Sequence, residues 1–374
     1  MAGELSGDLL AAEVVRALRQ RHPALEVMGI GGPRLRAAGM DTWVDCQSIA
    51  SVGAVEALGQ LRQLRASFRL LRRQLHMQRP DLVLLVDFPS FNLRLAREAQ
   101  RLNLPVLYYV SPKIWAWKAW RLPRILRWVD RMAVIFPFEE LLYNRHKPGF
   151  ATYVGHPLLD TVQLHRSAAA TRSLHGLDPH QPLLALLPGS RRSEVARLLP
   201  PLLQAARQLQ QLGWQVVLLR AAGLPSALLR RHGLRPEDDI PALDNDHHHL
   251  LAASNAAIVA SGTATLETAL VGCPHLIVYR LSRLTWWLGR GLRLMRCRFF
   301  GLPNLVLDRE VAPELIQDAL TPQALVAGVQ GLQSEESHLR RELATVRERL
   351  GQPGAAARTA NLALELVEQR WRQP

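Results

Sequence analysis

The sequence predicts an α/β protein made of two similar halves, each built on a parallel β-sheet, with a helical tail. Three observations support this fold class. Short aliphatic runs alternate with amphipathic helical stretches, which is the pattern of βαβ units. The alternation pauses in a polar stretch between Gly155 and Pro182, and from Pro322 onward the chain reads as helix, broken at 351–354. We therefore expect domains at residues 1–157 and 158–350 and a tail helix at 351–374.

The elements of the first half follow from their sequence patterns in order. Residues 9–21 are predicted to form a helix with Asp8 as its N-cap, and residues 26–30 a strand. A long arginine-rich helix over 58–78 ends at Pro80. The continuous apolar run at 81–87 is typical of a buried parallel strand. Further strands are predicted at 106–110 and 132–136.

The second half repeats this alternation, with strands predicted at 183–187, 214–219, 256–260 and 275–279 and helices between them. The start of the chain departs from the pattern. A glycine-rich loop that enters a helix normally follows a strand, yet only Met1 and Ala2 precede the loop at residues 3–8. Either the first N-terminal strand of the sheet is missing, or the true start lies upstream.

The charge balance is strongly basic, with 46 Lys plus Arg against 32 Asp plus Glu, a net charge of +14. Such a surplus suggests a nucleic acid or an anionic membrane as a partner. Because only three of the basic residues are lysines, arginine-rich genome composition is an alternative explanation. The hydrophobic fraction of 48% with 21% charged residues excludes a disordered chain.

The three cysteines are far apart and indicate neither disulfides nor a metal site, which fits a reducing cytoplasm. The first residues lack the pattern of a signal peptide, and no apolar run is long enough to span a bilayer. We therefore expect a soluble protein that can still touch a membrane.

Two loops of the second half could hold a diphosphate. Residues 188–191 follow a strand and precede a helix, so that backbone N–H groups and the forked cation of Arg191 could bind an anion. An ordinary strand-to-helix turn is the alternative. Residues 260–267 also follow a strand, and Glu267 lies one turn into the next helix, where its carboxylate could accept hydrogen bonds from ribose hydroxyls. Together the loops favour a nucleotide diphosphate site, although helix capping with a solvated Glu267 would explain the second loop.

In the first half Asp87 ends a buried strand and is a candidate general base, because it faces a cleft rather than open water. A simple turn or capping aspartate is the alternative. Glu4 in the first glycine-rich loop is a weaker candidate of the same kind.

Two segments, residues 111–128 and 280–300, interleave tryptophans with basic residues and contain six of the nine tryptophans. This combination suits an interface with anionic lipid. Single-stranded nucleic acid stacked on the aromatic rings, or buried helices with a basic outer face, are the alternatives. The residues expected to contact a membrane are Trp115, Trp117, Trp120, Arg121, Trp286, Trp287, Arg290 and Arg293.

Several motifs are absent or incomplete. There is no Gly-x-x-x-x-Gly-Lys loop, no complete Gly-x-Gly-x-x-Gly and no Gly-x-Ser-x-Gly elbow, which disfavours ATPases, dinucleotide enzymes and α/β-hydrolases. Asp244-Asn245-Asp246 is expected to cap a helix rather than bind a metal. The three consecutive histidines 247–249 point apart on a helix or strand, so we expect neither a metal nor a cofactor.

In combination, the motifs resemble the lipid-A-disaccharide synthases, glycosyltransferases of the GT-B type. The resemblance runs nearly end to end, from Ala2-Gly3-Glu4-x-Ser6-Gly7-Asp8 to the helical tail. It rests on seven motifs in order: Gly31-Gly32-Pro33, Val86-Asp87-Phe88-Pro89-Ser90-Phe91-Asn92, Tyr109-Val110-Ser111-Pro112-x-x-Trp115-Ala116-Trp117, Gly155-His156-Pro157, Leu187-Pro188-Gly189-Ser190-Arg191, Ala260-Ser261-Gly262-Thr263-Ala264-x-Leu266-Glu267 and Leu302-Pro303-Asn304-Leu305.

The resemblance implies two Rossmann-like domains facing a cleft, with the lipid acceptor in the first and the UDP donor in the second. The implied reaction moves 2,3-diacylglucosamine from its UDP derivative to 2,3-diacylglucosamine 1-phosphate, giving a β(1→6) disaccharide 1-phosphate and UDP. An inner-face peripheral membrane location and no nucleic-acid partner are expected, and the family includes homodimers. A related UDP-sugar transferase or epimerase is the nearest alternative, and a basic nucleic-acid-binding protein is a distant one.

The same resemblance assigns roles to residues. Asp87 maps onto the family's proposed base, and Arg191, Glu267 and Asn304 onto the donor side. Ser90 replaces an acidic residue of many relatives, which removes a second carboxylate beside Asp87. The substrate-binding residues expected in all are Ser6, Ser190, Arg191, Ser261, Gly262, Thr263, Glu267 and Asn304, with Asp87 and Glu4 as catalytic candidates.

Overall fold

The computed structural model describes residues 1–50, 57–282 and 298–371. The chain divides into two compact units, one made of Met1–Asp160 and Gln352–Pro374 and the other of Thr161–Gly351. Both units are α/β, as the alternating sequence pattern predicts.

The first stretch of the first unit alternates helices with short strands. In chain order its elements are α1 (Leu5–Arg21), β1 (Met28–Gly31), α2 (Pro33–Ala37), β2 (Asp41–Asp45), α3 (Cys46–Ala50), α4 (Ala57–Gln78), β3 (Val83–Val86), α5 (Pro89–Arg101), β4 (Val106–Tyr109), α6 (Leu122–Trp128), β5 (Arg131–Val134), α7 (Pro137–Asn144), β6 (Ala151–Tyr153) and α8 (Leu158–Thr161).

The second unit follows, and the last helix then returns to the first unit. These elements are α9 (Ala168–Leu174), β7 (Leu183–Leu187), α10 (Arg192–Gln211), β8 (Gln215–Leu219), α11 (Ser226–Arg231), β9 (Ala242–Leu243), α12 (His247–Ala253), β10 (Ala256–Ala260), α13 (Thr263–Leu270), β11 (His275–Tyr279), α14 (Leu302–Leu307), β12 (Glu314–Ile316), α15 (Pro322–Ser334), α16 (Glu336–Leu350) and α17 (Ala355–Trp371). The strands expected at 183–187, 256–260 and 275–279 are confirmed at those residues.

In the first unit β3, β4, β5 and β6 form a parallel sheet in that order, while β1 and β2 pair separately. The first two residues bridge the two groups of strands. The backbone N–H of Ala2 donates to Ile30 O at 3.0 Å, and the N–H of Val86 donates to Met1 O at 2.9 Å. Ala2 therefore lies between β1 and β3. This is the position in the sheet at which the sequence pattern requires a first strand.

Helix α1 begins at Leu5 and has Glu4 at its N-cap, so the prediction that Asp8 caps this helix is wrong. Asp8 lies inside the helix and is fully buried. Its carboxylate instead accepts the backbone N–H groups of Gly32, Arg34 and Leu35, at 2.6, 2.9 and 3.1 Å. These are N–H groups at the start of α2, which its own backbone cannot satisfy. Asp8 therefore ties α1 to the loop after β1.

The six strands of the second unit are all parallel and lie in the order β9-β8-β7-β10-β11-β12. The side chains of β7, β10 and β11 are almost entirely buried, because helices cover both faces of such a sheet. The expected helical tail is confirmed as α15, α16 and α17. The last of these packs its buried Ala360 and Leu362 against α1 of the first unit.

Candidate active site

The strand order of the second unit reverses direction between β7 and β10. In open parallel sheets ligands bind beyond the carboxyl ends of the strands at this switch point. Leu187 of β7 pairs with Val259 of β10. The loop 188–191 and the loop 261–263 therefore leave the sheet side by side, as the proposal of one nucleotide site requires.

The first of these loops is organised by Glu194, a residue outside the predicted site. Its Oε2 accepts the backbone N–H groups of Ser190 at 3.1 Å and Arg191 at 3.2 Å, and its Oε1 accepts from the Arg191 guanidinium at 2.9 Å. Gly189 has a φ of +107°, and a Cβ there would lie 2.5 Å from Glu194 Oε2. The N–H groups of Ser190 and Arg191 are therefore not free for an anion, and anion binding by the N–H groups at the start of the following helix stays a prediction. The Arg191 side chain remains 78% exposed. A glutamate three residues after an N-cap is a recognisable capping-box signal.

The second loop presents backbone rather than side-chain groups. Ser261 Oγ donates its hydrogen to Phe300 O at 2.6 Å, so this hydrogen bond is made to the protein itself. Gly262 has a φ of +150° with open space where a Cβ would stand, and Thr263 is exposed at the start of α13. The first N–H groups of the helix have no partner within the helix and lie beside an unobstructed glycine, an arrangement that suits phosphate oxygens.

Glu267 lies in α13, one turn from that loop, as predicted. Burial raises the pKa of its carboxyl, and the nearby His247 opposes that shift. His248 of α12 brings its Nε2 to 4.0 Å from Glu267 Oε2. Burial and the neighbouring His249 lower the pKa of His248. The sequence pattern indicated these histidines only as possible metal ligands and gave no sign of this placement beside Glu267.

Asn304 in α14 is fully buried, and the protein uses its side-chain amide completely. Nδ2 donates to Ala312 O at 2.7 Å and to Glu314 Oε1 at 2.9 Å, while Oδ1 accepts the N–H groups of Val311 and Ala312 at 2.8 and 3.0 Å. An amide has two donors and two acceptor positions. No group is left for a ligand, so the expected donor contact of Asn304 is replaced by a structural role.

The acidic pair at 244–246 does not cap α12 through a side chain, contrary to expectation. Asp244 pairs with Arg220 instead. Asp246 pairs with Arg166 and accepts from His249 Nδ1 at 2.6 Å and His175 Nε2 at 3.1 Å. In the described residues no group of three or more His, Cys, Asp or Glu side chains has an arrangement that could hold a metal ion.

The first unit has an equivalent switch point between Ala2 and β3, which are joined by a parallel bridge from Ala2 to Val86. Gly3 and Asp87 follow these two residues and therefore leave the sheet together. A Cβ on Gly3 would lie 2.4 Å from the Phe88 ring, so only glycine permits this approach. The exposed Glu4 and Ser6 lie in the N-cap and first turn of α1.

The backbone around Asp87 is strained and firmly held. Asp87 and Phe88 have φ values of 45° and 46°, in the left-handed region that side chains disfavour. The carbonyl of Asp87 accepts from Asn92 Nδ2 at 2.7 Å and from Tyr108 Oη at 2.5 Å. Burial raises the pKa of the Asp87 carboxyl, against the opposing effects of Lys113 and the Phe88 N–H. A half-buried carboxyl of raised pKa is suited to accept a proton.

The tryptophan-rich segment splits into packed and exposed members. Trp115 donates from Nε1 to Glu139 Oε1 at 3.1 Å and packs edge-on against Phe138, while its side chain stays partly exposed, so its contact with a membrane stays a prediction. Burial raises the pKa of Glu139 to about 7.

Trp117 and Trp120 are 50% and 56% exposed. Trp286, Trp287, Arg290 and Arg293 lie outside the described residues. No helix of the described residues is long and apolar enough to cross a membrane.

Comparison with known proteins identifies relatives over the whole chain. The family model of the lipid-A-disaccharide synthetases matches residues 1–365. Lipid-A-disaccharide synthase from Syntrophus aciditrophicus is 42% identical over 374 residues, covering 98% of this chain and 97% of the relative. The enzyme of the same name from Trichlorobacter lovleyi is 43% identical, covering 99% and 97%.

Solved structures of low sequence identity share the fold. MurG of Acinetobacter baumannii has a TM-score of 0.58 at 15% identity, covering 96% of this chain and 97% of that one. UDP-GlcNAc 2-epimerase from Neisseria meningitidis bound to UDP-GlcNAc has a TM-score of 0.62 at 11% identity, covering 98% of both chains. The GT-B fold expected from the sequence is confirmed. Because transferases and epimerases share it, the fold alone does not decide between them.

Proposed function

The chain belongs to the lipid-A-disaccharide synthase family, and from this premise we propose the reaction that it catalyses. It is a glycosyltransferase that moves 2,3-diacylglucosamine from UDP-2,3-diacylglucosamine to 2,3-diacylglucosamine 1-phosphate. The products are the β(1→6) disaccharide 1-phosphate and UDP, with inversion at the anomeric carbon. The observation that carries this proposal is the match of the whole chain, at about 42% identity, to enzymes of that name.

Asp87 is the proposed general base. It accepts the proton of the acceptor's 6-hydroxyl while that oxygen forms a bond to the anomeric carbon of the donor. The bond from the anomeric carbon to the diphosphate breaks at the opposite face, and UDP leaves with the electron pair. Asp87 is supported for this role by its half-buried carboxyl and by the strained loop that holds it at the end of β3.

The departing UDP gathers negative charge, which the loops at the second switch point are proposed to stabilise. The Arg191 guanidinium supplies a cation, and the N–H groups at the start of α13 beside Gly262 and Thr263 supply oriented dipoles. Ser190 contributes through the loop that Glu194 orders. Glu267 is proposed to accept hydrogen bonds from the ribose hydroxyls. These groups require no cofactor for the transfer.

The acylated substrates reside in a membrane, so the enzyme is proposed to act as a peripheral protein on the inner face of the cytoplasmic membrane. Trp117 and Trp120 are supported as contacts with anionic lipid by their exposure and by the cations beside them. Lys118 Nζ lies 3.9 Å from the centre of the Trp117 ring. The homodimer seen within the family is compatible with this scheme.

The decisive experiment incubates the purified chain with the two acylated sugars and analyses the products by mass spectrometry. We expect the disaccharide 1-phosphate and UDP in equal amounts. Formation of an epimerised UDP-sugar without any disaccharide would instead support the epimerase chemistry that other proteins of this fold perform.

A further inference from the structure

A cationic groove of about 640 Å³ lies in the first unit beside the Asp87 loop. Helices α4, α5 and α6 and the segment before α6 form its walls. Its size falls within the range of ordinary small-molecule sites. The basic residues that line it are Arg94, Arg97, Arg121 and Arg124, and the aromatic ones are Phe68, Trp120 and Trp128.

The positive charge of this groove is not neutralised within the described part of the chain. There, no carboxylate lies within 4.0 Å of any of the four guanidinium groups. Glu98 also lines the groove, but its Oε1 pairs with Arg101 at 2.8 Å, and Arg101 is not part of the lining. Four uncompensated arginines around one cavity create a strong local preference for an anion.

Tryptophan rings lie beside three of these four arginines. Arg124 and Arg121 lie 5.2 and 5.6 Å from the centre of the Trp120 ring, and Arg97 lies 5.9 Å from that of Trp128. Guanidinium groups held against ring faces keep their N–H edges available for hydrogen bonds. A forked, planar donor of this kind matches the oxygens of a phosphate. The groove is therefore prepared for a phosphate attached to a partly apolar molecule.

The groove is connected to the proposed base through Ser90, which lines it. Arg121 Nη2 donates to Ser90 Oγ at 3.1 Å. Ser90 follows Asp87 by three residues, so their Cα atoms are at most about 11 Å apart. An acceptor sugar can therefore extend from Asp87 at its 6-hydroxyl towards the groove at its far end. The acceptor carries its phosphate at that far end.

We propose that this groove binds the 1-phosphate of the acceptor, with Arg97 and Arg124 as phosphate ligands and Phe68 and Trp128 as an apolar wall. This inference rests on the proposed function, because the phosphorylated acceptor is a substrate of the proposed reaction. It places the acceptor's charge on the first unit, whereas the donor's diphosphate is proposed to bind at the switch point of the second.

The test compares Arg124→Gln with Arg127→Gln. Both arginines are exposed on α6 and both changes remove one charge, but Arg127 does not line the groove. With the acceptor dispersed in an uncharged detergent, R124Q is expected to raise the KM for the acceptor about ten-fold or more, the usual consequence of losing a charged hydrogen bond. The KM for the donor should stay within about two-fold, and R127Q should resemble the unchanged protein.

A second measurement requires no turnover. Glucosamine 1-phosphate is titrated into the unchanged protein, Arg97→Gln and R127Q by calorimetry. We expect binding that R97Q weakens about ten-fold and R127Q leaves intact. Equal behaviour of R97Q and R127Q would overturn the proposal. If the proposed reaction were wrong, no disaccharide would form, yet this binding would still be measurable, so the two failures are distinguishable.

A third arm separates the acceptor from lipid headgroups. Vesicles containing phosphatidylglycerol are sedimented with the same variants. If R124Q lost vesicle binding but kept its acceptor KM, the groove would be a headgroup site and the proposal would be wrong. A loss of acceptor affinity in R124Q with unchanged vesicle binding supports it.

Discussion

The Glu194 carboxylate holds Arg191 at two points, accepting its backbone N–H at 3.2 Å and its guanidinium at 2.9 Å. The carboxylate thus fixes the shape of the loop and the direction of an otherwise exposed side chain. Exposed ion pairs contribute little by themselves, so the backbone hydrogen bonds carry most of this stabilisation.

Glu194→Ala is expected to lower the free energy of unfolding by about 1–2 kcal/mol, the usual cost of losing a helix-capping side chain. UDP affinity should fall several-fold, because Arg191 loses its fixed direction. Chemical denaturation and calorimetric titration of UDP measure the two effects. Glu13→Ala is the matched control, since Glu13 forms an ion pair of the same spacing with Arg16 on the surface of α1. Identical results for both variants would contradict the role of Glu194.

Asp87→Asn is expected to abolish turnover, because the amide cannot accept the proton, while UDP still raises the melting temperature. Substantial residual activity would eliminate Asp87 as the base.

The pH dependence of activity should report the surroundings of Asp87. The base must be ionised, so activity falls as the pH drops through its pKa, which burial raises. Lys113 opposes this rise, because its positive charge favours the carboxylate. Lys113→Gln should therefore raise the pKa of Asp87 further and move the acidic limb of kcat/KM to higher pH. An unchanged limb, or a shift to lower pH, would contradict this assignment.

Asn304→Asp is expected to destabilise the protein by about 3 kcal/mol or more, because it places a buried charge beside Glu314 and the Ala312 carbonyl. Activity would then be lost through unfolding rather than through a missing donor contact. Denaturation monitored by circular dichroism measures this loss. Asn361→Asp, at an exposed position of α17, serves as the control and should change stability by less than about 0.5 kcal/mol. A stable N304D variant that failed to bind UDP would contradict this structural role and support a direct contact between Asn304 and the donor.

Trp117→Ala is expected to weaken binding to anionic vesicles about ten-fold without loss of stability, since inserting roughly 60 Å² of apolar surface supplies that much affinity. Trp115→Ala should instead lower the free energy of unfolding by about 3 kcal/mol, because this ring packs on Phe138 and bonds to Glu139. Trp371, which is 75% exposed on α17, provides the control for a general effect of losing an exposed tryptophan. Vesicle sedimentation and denaturation of the three variants separate these outcomes.

Much of the fold and the two site regions could be predicted from the sequence. The strands at 183–187, 256–260 and 275–279 were predictable because buried parallel strands are continuous apolar runs. The loops that follow strands were predictable as sites because glycine and capping residues mark the carboxyl edge of a sheet. The order of the motifs was sufficient to indicate the family.

The sequence by itself determined the alternation of strands and helices, the family and the positions of Asp87, Arg191 and Glu267 beside strand ends. Only the tertiary structure decided that Asp8 caps a helix 24 residues away, that the amide of Asn304 is fully used by residues 311–314 and that Trp115 bonds to Glu139. The physical reason is that periodicity is a local property of the chain. The partner of a buried polar group is instead set by which distant segments the packed core brings together.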